Sequence, residues 1–148
     1  EVFTRFAERP GLGTRCLDLG SSPGGWTWVL ARLGASVLSI DRADLAPAVL
    51  CMPGVEHRRG SAFAAQPTEI GPVDWLFSDV ICYPERLYGF VVGWLESGLC
   101  SRFVCTLKFQ GSTDHDVARK FAELPRSTLL HLNHNKHELT WVCGVREA

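Results

Sequence analysis

The 148 residues contain no run of 18 apolar side chains, which excludes a membrane-spanning helix. No C-x-x-C pair occurs among the six cysteines, Cys16, Cys51, Cys82, Cys100, Cys105 and Cys143, so neither a zinc ribbon nor a disulfide framework is indicated. Most of them sit inside apolar runs, as expected of buried, reduced thiols in a cytoplasmic protein. Excess charge of one sign is also missing. A formal net charge of -1 excludes a basic nucleic-acid tail or an acidic solvating segment, although a local basic patch can still meet RNA. There is no internal repeat and no low-complexity stretch. Two nucleotide-binding fingerprints are absent as well, G-x-G-x-x-G and G-x-x-x-x-G-K-[ST], which argues against a dinucleotide site and a P-loop. Lysine is scarce. Only Lys108, Lys120 and Lys136 are available for any chemistry that needs an amine.

What is present is enough apolar material, 46% of residues, for one domain with a real core spanning 1–148. Short apolar runs punctuated by polar ends predict strands over 16–19, 36–40, 73–78, 102–107, 127–132 and 139–145, with a further strand expected near 55–58. Helical spacing predicts helices over 26–33, 84–97 and 114–124, the last capped by Thr113 or Ser112. Gly34 closes the first of these. Val2, Phe3 and Phe6 suggest that residues 1–8 end a helix already under way, so the chain reads as a piece of a longer protein. Alternating strands and helices predict an α/β fold. Its seven strands are mostly parallel, with a C-terminal antiparallel hairpin and helices on both faces.

Ligands in such sheets bind beyond the carboxyl ends of the strands. That rule selects Asp18 with Gly20, Asp41, Asp79 and Lys108, each ending an apolar run. The glycine-rich loop Gly20-Ser21-Ser22-Pro23-Gly24-Gly25 joins a strand to a helix, where bare backbone can approach a ligand and N–H groups can hold a carboxylate. Asp41, at the end of the next strand, can accept from a ribose hydroxyl pair, and its plain alternative is a turn or cap aspartate. Loop and aspartate together favour a nucleoside-bearing ligand with a small charged end.

The string Asp18-Leu19-Gly20-Ser21-Ser22-Pro23-Gly24-Gly25-Trp26 resembles motif I of the FtsJ-type ribose 2′-O-methyltransferases. Trp75 to Asp79, Trp94-Leu95, Leu107-Lys108 and Glu138 to Val142 resemble later segments of the same family, so the likeness runs over nearly the whole chain. The resemblance implies a Rossmann-like sheet, S-adenosylmethionine as cofactor, and RNA, most specifically ribosomal RNA, as the acceptor. It implies cofactor contacts from Asp18, Gly20, Ser22, Pro23, Gly24, Gly25 and Trp26, with Asp41, Ser61 and Asp79 further along. Of the family's Lys-Asp-Lys-Glu set, it gives Asp79, Lys108 as general base and Glu138. The first lysine, and an RNA-binding region, are expected ahead of Glu1. Ser61 stands where the family often has an aspartate, and a hydroxyl accepts the same hydrogen bond more weakly. Two other readings stay open: a non-catalytic module binding S-adenosylmethionine or RNA, and a methyltransferase with a protein or small-molecule acceptor. Glu138 also reads as an exposed hairpin residue. No metal site is expected: His131, His134 and His137 fall on a strand and a turn, where residues three apart do not share a face. Monomer is the default oligomeric state.

Overall fold

A computed structural model describes residues 1–148. Four of its parallel strands are apolar runs, and the third is a polar edge strand: β1 (Arg15–Leu19), β2 (Ser36–Asp41), β3 (Val55–Arg59), β4 (Trp75–Ser78) and β5 (Arg102–Lys108). The last two, β6 (Ser127–Leu130) and β7 (Glu138–Cys143), form an antiparallel hairpin whose second strand lies between β5 and β6. The sheet order is therefore β3-β2-β1-β4-β5-β7-β6. Six helices surround it: α1 (Val2–Arg5), α2 (Gly25–Arg32), α3 (Pro47–Leu50), α4 (Pro67–Ile70), α5 (Pro84–Ser97) and α6 (His115–Glu123). No helix is long and apolar enough to cross a membrane.

Three local expectations are corrected. Residues 1–8 hold only the four-residue α1, after which Phe6 turns extended and bridges to Glu147. The cap of α6 is Asp114, not Thr113 or Ser112; its carboxylate accepts from the Val117 N–H at 3.0 Å, as an N-cap aspartate should. The short α3 and α4, where no helix is predicted, each begin on a proline, whose fixed φ suits the first helical turn.

Side-chain alternation along the strands divides the core in two. Leu17, Leu19, Leu76, Phe103, Cys105 and Trp141 face α4, α5 and α6 and belong to a cluster of 22 buried residues. From α5, Leu87, Val91 and Trp94 point into it. The Trp94 and Trp141 indoles are wholly enclosed, and both N–H groups find carbonyl acceptors, on Ala65 and Phe121. Cys16, Val37, Trp75, Phe77, Val104 and Val142 face the other way, toward α2 and α1, and their cluster has only nine members. This second face is therefore thinly covered. No disulfide forms. Cys51 is exposed, and burial pushes the Cys16 and Cys100 thiols up to about 12.

Candidate functional site

Parallel pairing in register brings the carboxyl ends of β1 to β5 to one rim. Leu19 pairs with Ile40 and with Ser78, Asp41 with Arg59, and Ser78 with Cys105. The next residues of each strand then line a groove of about 470 Å³, including Gly20, Ser22, Asp41, Ser61, Asp79 and Lys108. Six sequence-selected positions thus meet in one place. Gly20 makes this possible at φ +70°, because a Cβ there would lie 2.8 Å from Val80 Cγ2. Gly24, at φ +119°, lets α2 start against Val49 and Leu45.

The rim carries both signs of charge, Asp41 and Asp79 beside Arg42, Arg86 and Lys108, and Asp41 is held from beneath. Asp41 Oδ2 accepts from the Ser22 N–H at 3.0 Å and Oδ1 accepts from the Ala43 N–H at 2.8 Å. The carboxylate is thus fixed while its remaining lone pairs stay free for a ligand hydroxyl pair. Ser22 Oγ donates to the Asp44 carbonyl, tying the loop to the end of β2. The Ser61 hydroxyl makes no capping bond to the turn it begins.

Asp18 is placed differently from the expectation of ligand contact. It lies under the loop, 1% exposed, where Oδ2 accepts from Thr27 Oγ1 at 2.6 Å. Its other oxygen has no partner. Burial pushes its carboxyl up to about 7, and the neighbouring Asp79 and Asp41 charges add to the shift. Pro23, Gly24 and Gly25 shape the loop without lining this groove, and Trp26 turns to the opposite side of α2, edge-on to Phe77. Thr27 was not selected from the sequence. Its signal is a lone hydroxyl on the inner side of an otherwise apolar helix start. Phe63 and Arg86, also unselected, line the groove, with the guanidinium 4.0 Å from the ring centre.

A second groove, about 390 Å³, opens on the thinly covered face between α2, α1 and the strands β4, β5 and β7. Trp26, Phe3, Phe77 and Leu132 give it an apolar wall; Asp79, Thr106, Glu138 and Thr140 give it a polar end. Asp79 therefore borders both grooves. Lys108 Nζ pairs with Asp79 Oδ1 at 3.1 Å. Glu138 is the register partner of Lys108 across β5 and β7, so both side chains leave the sheet on the same face. Glu138 makes no ion pair of its own. Sequence separation of 59 residues between Asp79 and Glu138 thus closes into one cluster. His134 lines the second groove, while His131 and His137 contact Lys136 and Phe109 separately.

Residues 1–124 match the FtsJ-like methyltransferase family. This chain belongs to that family. Asp79 and Lys108 lie inside the matched residues and Glu138 beyond them. Among relatives, the Ribosomal RNA large subunit methyltransferase M of Aromatoleum aromaticum is 32% identical over 146 residues, covering 92% of this chain and 39% of that protein. Its namesake in Halorhodospira halophila is 37% identical over 139 residues, covering 90% of this chain and 40% of that protein. The FtsJ-like chain thus spans about two fifths of the length of these curated relatives. Among solved structures, Aeropyrum pernix fibrillarin, crystallised with natively bound S-adenosyl-L-methionine, superposes with a TM-score of 0.63 at 17% identity, covering 92% of this chain and 69% of that one. This likeness shows the Rossmann-like methyltransferase fold.

Proposed function

We propose that this domain transfers a methyl group from S-adenosylmethionine to a ribose 2′-hydroxyl of RNA, with ribosomal RNA as the acceptor. The observation that carries the reading is Asp79 standing where two grooves meet, beside Lys108 and with Glu138 on the adjoining strand. A two-substrate transfer needs one point reached from both sides.

The polar groove suits the cofactor. Its unengaged Ser61 hydroxyl and its carboxylates Asp41 and Asp79 match a ligand carrying a sulfonium, an ammonium and a ribose diol. Bound S-adenosylmethionine supplies an activated methyl on sulfur. Asp41 would hold the ribose hydroxyls, and the loop N–H groups the carboxylate end. The second groove would seat the acceptor nucleoside, its apolar wall against the base and its polar end against the ribose. Lys108 would take the 2′-hydroxyl proton as general base, with Asp79 orienting it and Glu138 holding the acceptor ribose. Much of the acceleration would come from aligning oxygen, methyl carbon and sulfur. On this reading, the family's remaining lysine comes from chain ahead of Glu1 and approaches over the thinly covered face, and an RNA-binding region lies there too. We place the protein in the cytoplasm as a monomer.

The test is methyl transfer from labelled S-adenosylmethionine to ribosomal RNA by the intact protein and by its Lys108→Ala variant. Ribose methylation is read as resistance to alkaline cleavage. Transfer that falls about 10³-fold in the variant, within the range of general acid–base contributions, supports the reading. No transfer from the intact protein to free RNA or to subunits overturns it, as does an unchanged rate in the variant.

A further inference from the structure

Ser39 is an odd member of β2. It stands in the apolar run Val37-Leu38-Ser39-Ile40 and has no exposed surface. Its register partner on β3 is His57, on the half-buried edge of the sheet. Ser39 Oγ lies 3.0 Å from His57 Nδ1 and is hydrogen-bonded on its other side to Ser21 Oγ of the glycine-rich loop. His57 Nε2 lies 3.1 Å from the Ala43 carbonyl.

The chemistry of the end groups sets a direction. A carbonyl only accepts, so Nε2 carries the proton in this contact. In the neutral ring Nδ1 is then the acceptor, and Ser39 Oγ–H must donate to it. Ser39 oxygen is left to accept from Ser21 Oγ–H. At the far end, the same Ala43 residue donates its N–H to Asp41 Oδ1, while Asp41 Oδ2 accepts from Ser22. The bonds close a ring: Ser21, Ser39, His57, Ala43, Asp41, Ser22. It ties the loop after β1 to the turn after β2, beside the direct contacts of Ser22 with Asp41 and Asp44, and the imidazole is its link between Ser39 and Ala43.

We propose that His57 is a positioning residue for the cofactor groove, fixing the Ser21–Ser22 loop and the Asp41 carboxylate through this directed chain. The inference rests on the cofactor groove argued above. His57 itself does not line that groove. Its effect passes through the orientation of Asp41 and of the loop. A buried hydroxyl that loses its acceptor is costly, so Ser39 and Ser21 would reorient once the imidazole is gone.

The experiment measures S-adenosylhomocysteine binding by calorimetry, alongside KM, kcat and Tm, on the intact protein. His57→Ala and Ser39→Ala each weaken binding about tenfold, an effect of the size expected for one broken hydrogen-bonded network. The cofactor KM rises while kcat changes less than about twofold. The double variant loses no more than the worse single variant, because both break one chain. His57→Asn, which keeps an acceptor near Nδ1, and His57→Gln, which keeps a donor near Nε2, each recover part of the affinity. Additive losses would overturn the proposal, as would binding within twofold of the parent. So would a loss that follows Tm and is not recovered by either amide. Asp41→Asn separates the two readings. If it weakens binding while His57→Ala does not, the positioning role alone falls. If Asp41→Asn leaves binding unchanged, the cofactor groove falls and this role with it.

Discussion

On one face of the sheet, Phe103, Leu107 and Trp141 meet α4, α5 and α6 in a closed, aromatic-rich core. On the other, Phe77, Val104 and Val142 meet only α2 and the single turn of α1. Both faces come from the same strands by period-two alternation, yet they are packed to different depths. Every polar group proposed for the chemistry belongs to the thinly covered side. Asp79 follows Phe77 and Lys108 follows Thr106 in that alternation, and Glu138 precedes Thr140. A fully packed face cannot admit an acceptor, and a bare one cannot hold strands in register. The division lets one face carry stability while the other stays open to a substrate.

The most disruptive way to test that division is to cut into the closed face. Phe121 is wholly buried and packs edge-on to Tyr88 and Trp141. Phe121→Ala should cost about 3–5 kcal/mol in chemical denaturation. Phe3, half-buried on the open face against Trp75 and Phe77, should cost less than half as much when truncated. Equal losses would erase the contrast.

A smaller effect concerns the acid lodged on the open side. The Asp18 carboxyl is raised to about 7 in the folded state, mainly by burial. The folded protein therefore binds more protons than the unfolded chain between about pH 4 and pH 7. Stability from this group is greatest at the acid end and is lost as pH rises through that window, by a few kcal/mol at roughly 1.4 kcal/mol per pH unit. Asp18→Asn should flatten the slope in ligand-free protein, and a cationic ligand in the groove should flatten it too. Glu8 has the opposite sign. Arg146 and Arg102 hold its carboxylate down to about 2, so its contribution is present above the usual carboxylate range and is lost in stronger acid. Melting temperature against pH separates the two windows.

The smallest expected change is at α6. Asp114→Ala removes the cap and should cost about 1 kcal/mol, with methyl transfer unaffected once the protein is folded.

Much of this was legible without coordinates. The seven strands, α2, α5 and α6 were all recognisable, because apolar runs ending in polar residues and helical spacing bounded by Pro84 and Gly98 are local signals. The strand-end rule alone brought Gly20, Asp41, Asp79 and Lys108 to one rim. Asp18 was legible as a site residue but not as a buried one, since its contact with Thr27 depends on how α2 packs down. Trp26 was selected with the loop and faces the other groove, because a helix start swings successive residues about 100° apart. The polar Ser39 inside β2 was visible, but its bond to His57 was not, since register between strands is a tertiary property.

The sequence by itself determined which segments are strands and helices, the glycine-rich loop and the identity of the charged strand ends, because each depends on neighbours a few residues away. Only the tertiary structure decided that Glu138 stands opposite Lys108, that Asp79 borders two grooves, and that one face of the sheet is left thin. Those outcomes follow from pairing across 30 to 60 residues of chain. That pairing is fixed by burying both faces of the sheet at once, and no local pattern encodes it.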